Sequence, residues 1–189
     1  MKAFAASLFS AVWLLGCSQG DTVHPIAAIV GTNLFSTLEH PTRVEAFLVK
    51  PRGDEGAPPF DRSKAGEYPI RTGPLVLPTN LATNISAILC NPKTYVPPGG
   101  PGNRCAPQYG VRLKFVGATG SVDVLICLEC NILAFAPEGT VADDKDFDPG
   151  RPQIVRFLKQ VFPDDKLIQL QKEVRRPGDN LQTTRDASR

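Results

Sequence analysis

The sequence predicts an α+β fold: a small antiparallel β meander covered by two or three short helices and rich in loops. Three observations carry this expectation. Val111, Leu113 and Phe115 alternate with polar neighbours, Gly117-Ala118-Thr119-Gly120 supplies a hairpin turn, and residues 122–126 pair back. Ile154, Phe157, Leu158, Val161 and Phe162 follow the i, i+3, i+4, i+7, i+8 stripe of a helix with one buried face. Finally, 18 Pro and 16 Gly in 189 residues break the chain often, which keeps elements short.

In chain order, residues 18 to about 40 read as a tether, because His24-Pro25 and His40-Pro41 interrupt any regular element; residues 26–30 make at most a short edge strand. Residues 44–49 are the first good strand. Residues 51–68 are polar and rich in Gly and Pro, a surface loop, and Tyr68-Pro69-Ile70 and Leu75-Val76-Leu77 are short extended pieces. Thr79 or Asn80 caps a helix whose Leu81, Ile85, Ile88 and Leu89 share a face, and which stops before Pro92. Residues 95–107 form a stiff loop holding Cys105. The meander spans 109–136, with residues 132–135 as its third strand. Its middle strand is apolar on both faces near Leu125-Ile126, so helices should cover one side. Asp148 is a good cap, with Pro149 at the favoured first position of the helix that follows. Asp164 or Asp165 starts a second short helix carrying Leu167, Ile168 and Leu170. From Arg176-Pro177-Gly178 onward the chain is polar, and disorder is expected.

The N-terminus sets the compartment. Lys2 precedes an apolar run from Ala3 to Leu15 that suits a signal-peptide core and is too short for a permanent membrane span. It ends in Leu14-Leu15-Gly16-Cys17, which resembles the lipobox of bacterial lipoproteins. The resemblance implies lipidation of Cys17, cleavage before it, and acylation of the new amino terminus; three acyl chains anchor a protein stably where one does not. Ser18 after the Cys resembles the outer-membrane sorting class of Gram-negative cells. The expected organisation is therefore a signal peptide at 1–16, a lipidated Cys and tether at 17–42, one globular domain at 43–172 and a disordered tail at 173–189. A formal charge of +2 gives no electrostatic reason to expect nucleic acid. The expected partners are a membrane, through the lipid, and a protein or small-molecule ligand.

Outside the inner membrane, thiols oxidise, so Cys90, Cys105, Cys127 and Cys130 read first as disulfide cysteines. Neighbourhood favours Cys90–Cys105 and Cys127–Cys130. The second pair needs a turn at Leu128-Glu129, since residues three apart in a strand are too distant to bond. Without such a turn, Cys105 pairs across the meander with Cys127 or Cys130. The competing readings are a thiol–disulfide redox protein using Cys127 and Cys130, and a four-Cys metal site. A redox CxxC opens a helix, whereas Asn131 to Phe135 reads as strand, and Glu129 between the thiols raises their pKa. The C-x14-C-x21-C-x2-C spacing has only one zinc-knuckle half.

Arg104-Cys105, Pro107, Gly110-Val111-Arg112-Leu113-Lys114-Phe115 and Val122-Asp123-Val124-Leu125-Ile126-Cys127-Leu128-Glu129-Cys130 resemble a family of uncharacterised bacterial, often lipid-anchored proteins. Its pattern is a Cys and a Pro before an apolar strand, a turn, and then "vLiCFxC"; Leu128 stands where the family usually has Phe. The resemblance implies a domain and no particular chemistry, and it sets Cys90 outside the core pattern.

Other residues invite functional readings. Asp144, Asp146 and Asp148 alternate like a calcium loop, yet Pro149 replaces the required Gly and Val155 the closing Glu. The plainer reading is a solvated loop ending in a helix cap. His24 and His40 read as exposed bystanders. Asn84-Ile85-Ser86 is a glycosylation sequon of little meaning in a bacterial chain. No acid, base and nucleophile converge, so a binding or structural module is expected rather than an enzyme, with no cofactor.

Overall fold

A computed structural model describes residues 24–50, 59, 61–100 and 105–174. The expected signal peptide at 1–16, Cys17 and the expected disordered tail from residue 175 lie outside the described residues.

Six antiparallel strands form one sheet: β1 (Arg43–Val49), β2 (Ile70–Val76), β3 (Val111–Gly117), β4 (Gly120–Cys127), β5 (Ile132–Pro137) and β6 (Asp143–Asp146), in the order β2-β1-β3-β4-β5-β6. The predicted meander is its centre, β3-β4-β5, and the two-residue turn Ala118-Thr119 joins Gly117 to its partner Gly120. With five α-helices among the described residues, α1 (Pro25–Val30), α2 (Thr32–Glu39), α3 (Thr79–Leu89), α4 (Arg151–Val161) and α5 (Lys166–Gln169), the architecture is the expected α+β.

Strand periodicity sorts side chains onto two faces. Val44, Ala46 and Leu48 of β1, Val111, Leu113 and Phe115 of β3, and Val124, Ile126, Leu133 and Phe135 of β4 and β5 point to one side. There they meet Ile26 of α1, Leu38 of α2, Ile85 and Leu89 of α3, and the α4 stripe Ile154, Phe157, Leu158 and Val161. The opposite face holds Phe47, Val49, Leu125, Cys127, Ile132 and Ala134. No helix covers it. Ala65, Tyr68 and Tyr109 close it instead, with the two tyrosine rings edge to face at 6.1 Å. This explains why β4 is apolar on both sides.

The N-terminal segment corrects the tether expectation. Residues 24–39 belong to the folded body: Ile26 and Leu38 are fully buried. Pro25 is tolerated because it sits at the start of α1, where its missing N–H is not needed. His24 is no bystander. Its Nδ1 accepts the Ile26 N–H at 3.2 Å, which caps α1, so Nε2 carries the proton and donates to the Cys90 carbonyl at 2.8 Å. Gly31, at φ 82°, separates α1 from α2. His40 is exposed, at the end of α2.

Two edge strands differ from the sequence reading. Ile70 and Leu75-Val76, from the two predicted extended pieces, belong to one strand, β2, exposed at all seven residues and paired on one side only, to β1, while Tyr68 lies before it and is buried. β6 is Asp143-Asp144-Lys145-Asp146; its backbone pairs with β5 while its side chains face water. Asp148 is not the cap of α4. It opens a 3-10 turn, Asp148–Gly150, and Gly150 holds the cap position. Similarly, Pro78 rather than Thr79 or Asn80 precedes α3, and no side chain caps that helix. Asp165 does cap α5, accepting the Ile168 N–H at 2.9 Å.

Candidate functional site

β4 ends at Cys127 and β5 begins at its partner Ile132, so Leu128, Glu129, Cys130 and Asn131 form a four-residue hairpin turn. Asn131 sits at φ 56°, a left-handed conformation that asparagine adopts more readily than most residues. The turn demanded by a Cys127–Cys130 bond is thus present, yet that bond is not formed.

Cys130 is bonded to Cys105, with the Cα atoms 5.9 Å apart and a sequence separation of 25. Cys90 and Cys127 are free thiols. This corrects both locally favoured pairings. Cys90 ends α3 and packs against the helix-covered face, whereas Cys127 and Cys130 belong to the opposite face, so the sheet lies between them. For the same reason the four sulfurs do not gather around a metal. Among the described residues, no three His, Cys, Asp or Glu side chains converge as a metal site. Asp144 and its neighbours are used otherwise: Asp143 pairs with Lys145 at 2.7 Å, and Asp146 accepts the Asp148 N–H at 2.9 Å.

Cys127 is fully buried, and its sulfur accepts the N–H of Gln108 at 3.2 Å. Burial pushes its thiol pKa up; the N–H groups of Cys130, Gln108 and Glu129 oppose that shift and the Glu129 charge reinforces it. Cys90 is pushed up to about 12, by burial first and then by the Glu39 carboxylate. Burial also raises the hydroxyls of Tyr95 and Tyr109.

These shifts share a sign. A thiol or phenol whose pKa is higher folded than unfolded binds its proton more tightly in the folded state. Its stabilising contribution is complete below the unfolded value, 9.0 for a thiol and 10.0 for a phenol, and is lost as pH rises through the folded value. Urea midpoints should therefore fall as the pH climbs from 9 towards 12, and Cys90 should resist alkylation at neutral pH.

The disulfide closes a long loop. In the chain-entropy model a closure of this size stabilises by about 3 kcal/mol, so replacing Cys105 and Cys130 together by Ser should lower the unfolding free energy by about that amount in urea titrations.

Arg151, 3% exposed, organises the turn from behind. One guanidinium nitrogen donates to the Leu128 carbonyl at 2.7 Å and to the Asn131 side-chain oxygen; others reach the Lys172 carbonyl at 2.9 Å and Gln171 Oε1 at 3.2 Å. Asn131 in turn donates to the Asp148 carboxylate. Sequence reasoning missed Arg151. A signal existed: a cation in the first turn of a helix opposes the helix dipole, which marks it as serving another partner.

Beside the turn lies a cavity of about 310 Å³. Its apolar walls are Val49, Val111, Ile126 and Leu128 from the strand ends, with Leu167 and Ile168 from α5. Arg71, Gln108 and Glu129 line it with polar groups, and Arg71 is also held by Asp165 at 2.8 Å. Gln108 and Glu129 touch both this cavity and the Cys127 sulfur, so the cavity and the cysteine turn share a wall. Leu167, 63% exposed, is available to an entering molecule. No family model, curated protein or solved structure matches this chain.

Proposed function

We propose that this chain is a lipid-anchored, extracytoplasmic binding module, held to a membrane through an acylated Cys17. It takes a small, largely apolar molecule with one polar end into the cavity between the strand ends and α5. In a Gram-negative cell the anchor places it on the outer membrane, facing the periplasm. The observation that carries the ligand is the cavity: concave, mostly apolar, with a few convergent polar groups, as small-molecule sites are built. The disulfide at Cys130 and the Arg151 bonds hold one wall in place before any ligand arrives, which reduces the ordering cost of binding.

Titration of the full chain with anilinonaphthalene sulfonate, an apolar dye with one anionic end, tests this reading. Saturable binding is expected, weakened about tenfold by Leu167→Lys with the melting temperature unchanged, because an exposed leucine contributes to the cavity and little to the core. Absence of saturable binding, or equal binding by that variant, refutes the cavity as the site.

A further inference from the structure

Three cysteines lie at one end of the sheet, and two of them are bonded. Cys130 Sγ, in the bond, lies 3.8 Å from the Ala106 carbonyl; Cys127 Sγ lies 3.2 Å from the Gln108 nitrogen. The Cys127 and Cys130 sulfurs therefore face the same short segment, the one that begins at Cys105. The Cys127 sulfur also accepts the backbone N–H of Cys130 itself, so the free sulfur lies against the residue that holds the bond. Cys127 and Cys130 span the start of the hairpin turn. In a β-turn the first and fourth Cα atoms lie within about 7 Å, which overlaps the range a disulfide bridges. Exposure is graded too: Cys127 and Cys130 are buried, whereas Cys105 faces water.

We infer that Cys127, Cys130 and Cys105 form an intramolecular thiol–disulfide exchange site, in which Cys127 displaces Cys105 from Cys130. Cys127 first loses its proton to water admitted as the turn opens locally. Its sulfur lone pair forms the new bond to Cys130 Sγ as the Cys130–Cys105 bond breaks. The electron pair leaves on the Cys105 sulfur, which takes a proton from water. One disulfide and one thiol stand on each side, so no oxidant or reductant enters. Burial raises the Cys127 pKa, and the three backbone N–H groups around the sulfur offset part of that rise. Attack falls on Cys130, the residue whose amide already touches the nucleophile, and Cys105 departs into solvent. The buried thiol is thereby exchanged for an exposed one, and the segment carrying Gln108 at the cavity wall is released from its covalent tie.

The test uses the full chain, oxidised and free of reductant, incubated with iodoacetamide at about pH 8 and mapped by peptide mass spectrometry. Glu129 and Tyr109 are the titratable groups that bear on Cys127, and Gln108 is its neutral neighbour. Expected is a growing species alkylated at Cys105 in which Cys127 and Cys130 are linked, with Cys105 labelling falling about tenfold or more in Cys127→Ala. Three results overturn the inference: an intact Cys105–Cys130 link with Cys105 unlabelled, label on Cys127 with that link intact, or equal Cys105 labelling in the Cys127→Ala protein. The wild-type map alone decides between the first two and the expected result, so the test survives a variant that folds poorly.

Discussion

Replacing Asp123 with alanine should destabilise the protein by about 3–5 kcal/mol, measured by urea unfolding, because it strands a buried cation. Asp123 and Arg112 lie on the face without helices, and their side chains are 4% and 9% exposed. Arg112 Nε donates to Asp123 Oδ1 at 2.7 Å, and its guanidinium sits over the Phe47 ring, 4.8 Å from the centroid. The two residues are diagonal neighbours across β3 and β4, since Asp123 faces Lys114 directly in the register. Removing the carboxylate leaves the guanidinium buried with the aromatic face and no counter-charge. The companion experiment separates the cost of a stranded charge from the value of the pair. Replacing both, as Arg112→Met with Asp123→Leu, should recover most of the loss, because an apolar pair of similar volume carries no desolvation penalty.

Arg151→Ala should cost about 3 kcal/mol by the same measurement, since charged hydrogen bonds are lost and buried acceptors are left unmatched. It should also do something that Asp123→Ala does not. Arg151 bonds Leu128 and Gln171, and both line the cavity. Dye binding should therefore weaken in Arg151→Ala under conditions where the protein remains folded, and amide exchange should quicken at residues 128–131. Arg151→Lys should recover less than half of the stability. An ammonium is a single point donor and lacks the planar fork that reaches the Leu128 carbonyl, the Asn131 side chain and the Lys172 carbonyl together.

What could be read in the sequence followed burial. β3 and α4 announce themselves because each has one buried face, and their apolar spacing, 2 for the strand and 3 to 4 for the helix, records it. β4, buried on both faces, shows as the continuous apolar run 122–126. β2 and β6 left no such record. β2 is exposed throughout, and β6 is all charge, so their membership of the sheet rests on backbone hydrogen bonds that any side chain permits. α1 and α2 were hidden for another reason: His24-Pro25 and His40-Pro41 read as breakers, although the first begins a helix and the second lies just past the end of another. In the candidate site, the cysteines were visible, and the Cys105–Cys130 bond was legible only as one of several alternative pairings. Pairing depends on which face of the sheet each sulfur occupies, and the side of Cys90 is set by the packing of α3, a tertiary fact. Arg151 and Gln108 reach the cysteine turn from far along the chain, and no local spacing encodes that approach.

We propose that export and oxidation shape this protein, with a lipid on Cys17 fixing its location and the bond at Cys130 pinning the wall of its cavity. Peptide mass spectrometry on protein extracted from the membrane fraction, alkylated at the moment of lysis, tests both halves at once. The account predicts an N-terminal peptide beginning at an acylated Cys17, together with disulfide links to Cys130 and an unlinked Cys90. An unprocessed N-terminus retaining Met1, found in the soluble fraction with Cys105, Cys127 and Cys130 all reduced, contradicts it.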